Sequence, residues 1–160
     1  MRKFEKISFE QFSKDIEDNI ELYNSYSLPK RSTSGSAGYD YQSIIDFTLS
    51  PGETINVPLG VKVLLNDGEV LLNVVRSSMG IKYNVRMCNQ IGVIDKDYYN
   101  NGDNEGHIWI KLENHGDKDY IVKKGDRICQ GIFVKYLTVD DEDKVNKKRT
   151  GGFGSTNRRN

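Results

Sequence analysis

Glu69-Val-Leu-Leu-Asn-Val-Val75 is a nearly continuous apolar run of strand length. A run that short, rich in branched aliphatic side chains, predicts a strand buried on both faces. Outward from it the same kind of segment recurs. Thr54-Ile-Asn-Val-Pro-Leu-Gly-Val-Lys-Val63 alternates in part, and Pro58 suits an edge strand or a bulge. His107-Ile-Trp-Ile-Lys-Leu-Glu113, Tyr120-Ile-Val122 and Arg127 to Leu137 follow. The turns Asn66-Asp-Gly68, Asn114-His-Gly-Asp117 and Lys124-Gly-Asp126 separate them. Short strands at near-regular intervals predict an all-β domain, an antiparallel β-barrel or jelly roll, over 28–137. The 160 residues suffice for one domain with a real core.

The two ends read differently. Ser8-Phe-Glu-Gln11 has the form of a capping box, and Phe12, Ile16, Ile20 and Tyr23 recur on one helical face. An amphipathic helix over 9–23 is expected, within an N-terminal helical extension spanning 1–27. Asn24 to Gly38, rich in Ser, Gly and Pro, reads as a surface loop. From Thr138 to Asn160 the chain carries acidic residues at 140–143 and then Thr150-Gly-Gly-Phe-Gly-Ser-Thr156. Glycines around one phenylalanine cannot build a core. A flexible C-terminal arm is expected, its ring able to stack and its backbone N–H groups and hydroxyls able to grip oxyanions.

The 23 basic and 23 acidic residues balance, so bulk charge directs the chain toward neither nucleic acid nor membrane. Cys88 and Cys129 are too few for a disulfide framework and sit in β-like runs, so both are expected as buried free thiols. With no 18-residue apolar run and no signal-peptide pattern, a soluble cytoplasmic protein is expected. His107 and His115 lack partners at metal-ligand spacing and read as structural or surface residues.

Asn89-Gln-Ile-Gly-Val-Ile-Asp-Lys-Asp-Tyr98 concentrates chemistry. An apolar run delivers Asp95, a carboxylate costly to desolvate unless paired or used. Tyr98 follows, able to stack on a flat ligand face while its hydroxyl stays bonded. As one straight strand the segment puts Asn89 and Asp95 on a shared face; as a hairpin around Gly92 it sets them across from each other.

Five segments then stand in order: Ala37-Gly-Tyr-Asp40, Arg76-Ser-Ser-Met-Gly80, Gly92-Val-Ile-Asp-Lys-Asp-Tyr98, Gly125-Asp-Arg-Ile-Cys-Gln130 and Gly151-Gly-Phe-Gly-Ser-Thr156. Together they resemble the five motifs of the trimeric dUTP pyrophosphatases (dUTPases), over about Leu28 to Thr156. The resemblance implies a distorted jelly roll, a homotrimer with active sites shared between subunits, and an arm capping a neighbour's site. It implies hydrolysis of dUTP to dUMP and pyrophosphate with Mg²⁺ on the triphosphate, which keeps uracil out of DNA and supplies dUMP. Asp95 then activates the attacking water. Tyr98 lies against the sugar and rejects a 2′-hydroxyl. Asn89, backbone groups at Gly92, Val93 and Ile94, and the main chain of Trp109 match uracil. Arg76, Ser77, Ser78 and Gly80 hold phosphates, and Gln130 bonds a phosphate oxygen or an ordered water. Phe153 stacks on the base, with Gly154, Ser155 and Thr156 around the γ-phosphate. Arg149 reaches that phosphate too, with Lys148 as its rival in the other register. Asp40 is at most a water-mediated partner of the metal, or else bonds the nearby turn.

Four departures mark this chain: Tyr41 in place of an aliphatic residue, a longer link over Tyr99 to Gly106, Asn157 in place of a glycine, and the register of Arg149. A dCTP deaminase, which shares the fold, would need a cytosine-reading site with a catalytic glutamate. A nucleotide-binding regulator would bind without turnover.

Overall fold

The computed structural model describes residues 1–142, 149, 151 and 152. In chain order it contains β1 (Lys3–Lys6), α1 (Phe9–Asp15), α2 (Ile20–Ser25), β2 (Tyr39–Gln42), β3 (Phe47–Leu49), β4 (Thr54–Pro58), β5 (Val61–Leu64) and β6 (Glu69–Val74). There follow α3 (Ser77–Tyr83), β7 (Val85–Met87), β8 (Gly92–Ile94), β9 (Trp109–Asn114), β10 (Tyr120–Val122) and β11 (Arg127–Lys135). Every pairing is antiparallel, in sheets ordered β2-β11-β6-β8, β4-β9-β7, β1-β5 and β10-β3. This is a jelly-roll-like wrapping of short sheets around one core.

β6 lies between β11 and β8, and each of its side chains is buried or half-buried, as the apolar run predicts. Leu71, Val57, Val61, Ile110, Leu112 and Ile128 meet in the core, all at most 2% exposed. Each such side chain contributes about 1.5–3 kcal/mol by leaving water. The expected 54–63 strand is two, β4 and β5, because Gly60 takes a left-handed φ of 68° between them. Tyr41 is buried, and its hydroxyl donates to Oδ1 of Asn73 at 3.1 Å. The unusual aromatic is thus a packing choice with its polar tip satisfied.

The N-terminus differs from the single helix expected over 9–23. β1 pairs with β5 and belongs to the sheet framework, and the helical part is two short pieces. Asn19 caps the second, its side chain accepting from the Leu22 N–H at 2.9 Å, so the backbone restarts instead of continuing. Phe12 is fully buried with Ile7, Leu22 and Ile44, whereas Ile20 is exposed. The capping box is half made: Ser8 Oγ accepts from the Gln11 N–H at 3.1 Å, but Gln11 turns to Asp15, and the Ser8 N–H donates to Glu105.

His107 joins that N-terminal layer to the barrel. It is fully buried, accepts the Gly60 N–H at Nε2 (2.9 Å) and is therefore protonated at Nδ1, which donates to Asp15 at 2.6 Å. Burial lowers its pKa below the usual 6.5, with Asp15 opposing. A histidine with a depressed folded pKa takes up its proton more readily when unfolded. Its contribution is therefore complete above about pH 6.5 and is lost as pH falls toward the folded pKa. Chemical denaturation should show lower stability at pH 5.5 than at pH 7.5, with the difference reduced in His107→Gln.

Candidate active site

Two clusters of polar side chains form on the β2-β11-β6-β8 sheet. The first gathers around Asp40. Arg76, extended at the start of α3, donates from Nε to Asp40 Oδ1 at 3.1 Å. The other oxygen accepts from Ser32 Oγ at 2.6 Å and from Arg127 at 3.3 Å. Gln130 sits opposite Asp40 in the β2–β11 register and donates to the Val75 carbonyl at 3.3 Å. Gly38 packs against Gln130, whose side chain would have to move to admit a Cβ there. Ser77, Ser78 and Gly80 are exposed on α3 beside Arg76, with only Val75 near a Cβ at Gly80, at 3.9 Å. Cys129, on the same strand, is buried and its thiol is pushed up to about 12 by burial, leaving it inert.

The second cluster surrounds Asp95. β7 and β8 pair with different strands, β9 and β6, so they are not a hairpin ladder. The reversal lies at residues 88–91, closed by Gln90 N–H to Met87 C=O at 2.9 Å, with Gln90 in the left-handed region at φ 61°. Gly92 is therefore not the pivot. It permits close packing, a Cβ there standing 3.3 Å from Met87 Cε and 3.4 Å from Asn73 Cβ. Along 91–95 burial alternates, and Ile91 and Val93 are exposed at 48% and 58%. Asp95 follows on the exposed side, its side chain 52% accessible. Arg149 forks across it, reaching Asp95 at 3.1 Å and Asp97 at 3.2 Å, with its guanidinium 5.7 Å from the Tyr98 ring centre. Tyr98 is buried; its hydroxyl donates to the His107 carbonyl and accepts from Asn104, each at 2.9 Å. Burial raises its pKa.

Asn89 and Trp109 line one cleft of about 380 Å³ with Asn56, Cys88, Ile110 and Lys111. Cys88 is exposed there and not buried, contrary to the sequence expectation, because the chain leaves β7 for the turn at that residue. The sequence reading also missed Arg127 and Asp97 as ion-pair partners at these clusters. Arg127 lay in a quoted motif, but nothing local announces that it turns toward Asp40. Lys148, Phe153, Gly154, Ser155 and Thr156 lie outside the described residues.

The two clusters stand apart. In the antiparallel β6–β8 register, Gly92 faces Asn73 and Ile94 faces Leu71, so Asp95 leaves at the level of Val70. Arg76 leaves β6 at its other end. At the rise of an extended strand these exits are about 20 Å apart.

A model of the dUTPase family matches residues 24–157. The chain belongs to the dUTPase family. A relative from Lactococcus lactis, named deoxyuridine 5′-triphosphate nucleotidohydrolase, is 46% identical over 131 residues, 81% of this chain and 87% of its own length. A Shewanella woodyi relative of the same name is 35% identical, over 81% of this chain and 86% of its own. Among solved structures, a dUTPase from Streptococcus mutans superposes with a TM-score of 0.69 at 37% identity, over 86% of this chain and 98% of that one. The dUTPase of phage phi11 of S. aureus shares the fold at 20% identity, with a TM-score of 0.66 over 92% of this chain and 97% of that one. The family match starts at residue 24, so β1, α1 and α2 lie almost wholly outside it.

Proposed function

We propose that this chain hydrolyses dUTP to dUMP and pyrophosphate, as a homotrimer whose sites combine residues of neighbouring subunits. The observation that carries the reading is the separation of Asp95 from Arg76 at opposite ends of β6, in a chain of the dUTPase family. A base about 20 Å from the phosphate grip cannot activate a water against a phosphorus held there. Asp95 of one copy must work with Arg76 of another, and closed symmetry supplies that arrangement.

In such a site Arg76, with its forked donors, and the hydroxyls of Ser77 and Ser78 hold the phosphates, while Gly80 leaves space at the backbone. Gln130 supports them. Asn89 and the Trp109 backbone meet uracil in the cleft they line, and main-chain groups of Gly92, Val93 and Ile94 complete the match to the base. Cytosine presents a donor where uracil presents an acceptor, so it leaves buried groups unpaired. Tyr98, its hydroxyl fixed by His107 and Asn104, presents a rigid wall to the sugar. Asp95 takes the proton from the water that attacks the α-phosphorus. Arg149 moves from the carboxylates to the γ-phosphate, and Phe153 to Thr156 complete the cover.

Among the described residues no three His, Cys, Asp or Glu side chains group as a metal cage. Both oxygens of Asp40 are engaged by Arg76, Arg127 and Ser32. Mg²⁺ carried by the substrate's phosphates would need no such cage, and Asp40 would be at most a partner through water. The ion supplies charge neutralisation on the triphosphate. Pyrophosphate release, measured with dUTP, the four dNTPs of DNA and UTP in the presence of Mg²⁺, should appear with dUTP alone. Unreacted dUTP, or equal use of UTP, would sink the proposal.

A further inference from the structure

We infer that Asp15 is a positioning residue for Tyr98, acting through His107. By this route the N-terminal segment stiffens the wall that a 2′-hydroxyl would meet. The inference rests on the dUTP reading and deepens it, giving sugar selection a support outside the family-matched part of the chain. That match begins at residue 24, whereas Asp15 is the last residue of α1. The connection is continuous. Asp15 Oδ2 accepts from His107 Nδ1 at 2.6 Å, and Gln11 donates to the same oxygen at 2.7 Å. Across the ring, Nε2 accepts the Gly60 N–H at 2.9 Å. The His107 carbonyl then accepts from the Tyr98 hydroxyl at 2.9 Å. His107 and Tyr98 are 0% and 5% exposed, so water competes little for these bonds.

The step from ring to carbonyl runs through the His107 backbone. His107 stands where the 99–106 link joins β9. Its N–H donates to the Asn104 carbonyl and the Ile108 N–H to the Val61 carbonyl, each at 2.9 Å. The carbonyl between these anchors turns with the torsions of His107 itself, and those are coupled to the rotamer of the ring. A ring clamped at both nitrogens therefore fixes the direction in which the carbonyl meets Tyr98. The shorter clamp is the one to the carboxylate, the stronger kind of hydrogen bond. The N-terminal segment also holds the link beside it, since Glu105 accepts the Ser8 N–H at 3.0 Å and Tyr99 donates to Glu5.

Stiffness matters because a pocket rejects an added hydroxyl only modestly when its wall can yield. Discrimination by collision grows with the cost of moving the wall aside. Tyr98 is pinned through its hydroxyl, so its ring retreats only if the His107 carbonyl follows or the bond breaks. Without Asp15 one clamp on the imidazole is lost, the carbonyl can turn, and the wall gives way more easily. A deoxysugar asks for no extra room, so dUTP gains little from the softer wall while UTP gains directly.

Inhibition kinetics on the full chain test this, with UTP as competitor against dUTP. The readout is the UTP inhibition constant divided by the dUTP KM, a ratio independent of how much of the protein is folded. Asp15→Ala should lower it about three- to tenfold, the scale of one hydrogen bond, with kcat within about twofold of wild type. Asp15→Asn keeps an acceptor oxygen for His107 and should stay near wild type. Tyr98→Phe, lacking the hydroxyl, should lower the ratio by itself, and adding Asp15→Ala to it should change the ratio little further. If wild type turns over dUTP but Asp15→Ala leaves the ratio unchanged, the inference fails while the activity stands. Equal losses in the Ala and Asn variants, or the full Asp15→Ala effect in the Tyr98→Phe background, would also overturn it. Wild type inert toward dUTP would overturn both the activity and the inference.

Discussion

Asp95→Asn is expected to cut dUTP turnover by about 10²–10⁴, the usual worth of a positioned general base. Binding should change far less. The amide is isosteric, the side chain is half exposed, and what it loses besides basicity is the contact with Arg149 at 3.1 Å. Exposed ion pairs of that kind contribute about 0–1 kcal/mol. A general base, in contrast, acts only on the attacking water, so its loss would appear in kcat and not in ground-state affinity. Calorimetric titration with a non-hydrolysable dUTP analogue, alongside pyrophosphate release, separates the two quantities. Near-wild-type turnover in this variant would remove Asp95 from the mechanism.

The second large effect concerns where the site is. Arg76→Ala and Asp95→Asn should each be nearly inactive alone. If every site draws Asp95 from one copy and Arg76 from its neighbour, unfolding and refolding the two variants together creates sites with both residues intact. At equal mixing about a quarter of sites pair an Arg76→Ala chain's Asp95 with an Asp95→Asn chain's Arg76, in the closed ring that shared sites require. Activity should recover to about that fraction of wild type. Sites contained within one chain would give no recovery at all, since no single chain in the mixture carries both residues. The exits of the two groups at opposite ends of β6 are the reason to expect recovery.

Much of the fold was legible in local pattern. The 69–75 run marked the central strand because a strand buried on both faces needs no polar face. The N-terminal pattern misled: Phe12 and Tyr23 do pack together, 5.3 Å between ring centres, but across two helices that Asn19 separates. Spacing alone cannot tell one long helix from two short ones folded onto the same cluster. At the site, the stretch Asn89 to Tyr98 showed an amide, a carboxylate and an aromatic close together in sequence. The turn position did not follow from glycine content, because Gln90 takes the left-handed conformation while Gly92 serves packing.

The order of residues along the chain determined the family and the chemical inventory: a carboxylate after an apolar run, an Arg-Ser-Ser stretch, and a glycine-rich C-terminal segment. These are properties of side-chain type and spacing, which survive any folding. Tertiary structure alone decided which of them meet. Asp40 meets Arg76 and Arg127, Arg149 meets Asp95, and Asp103 meets Gly152 because antiparallel register and loop closure bring distant positions together. The same register holds Asp95 and Arg76 of one chain apart.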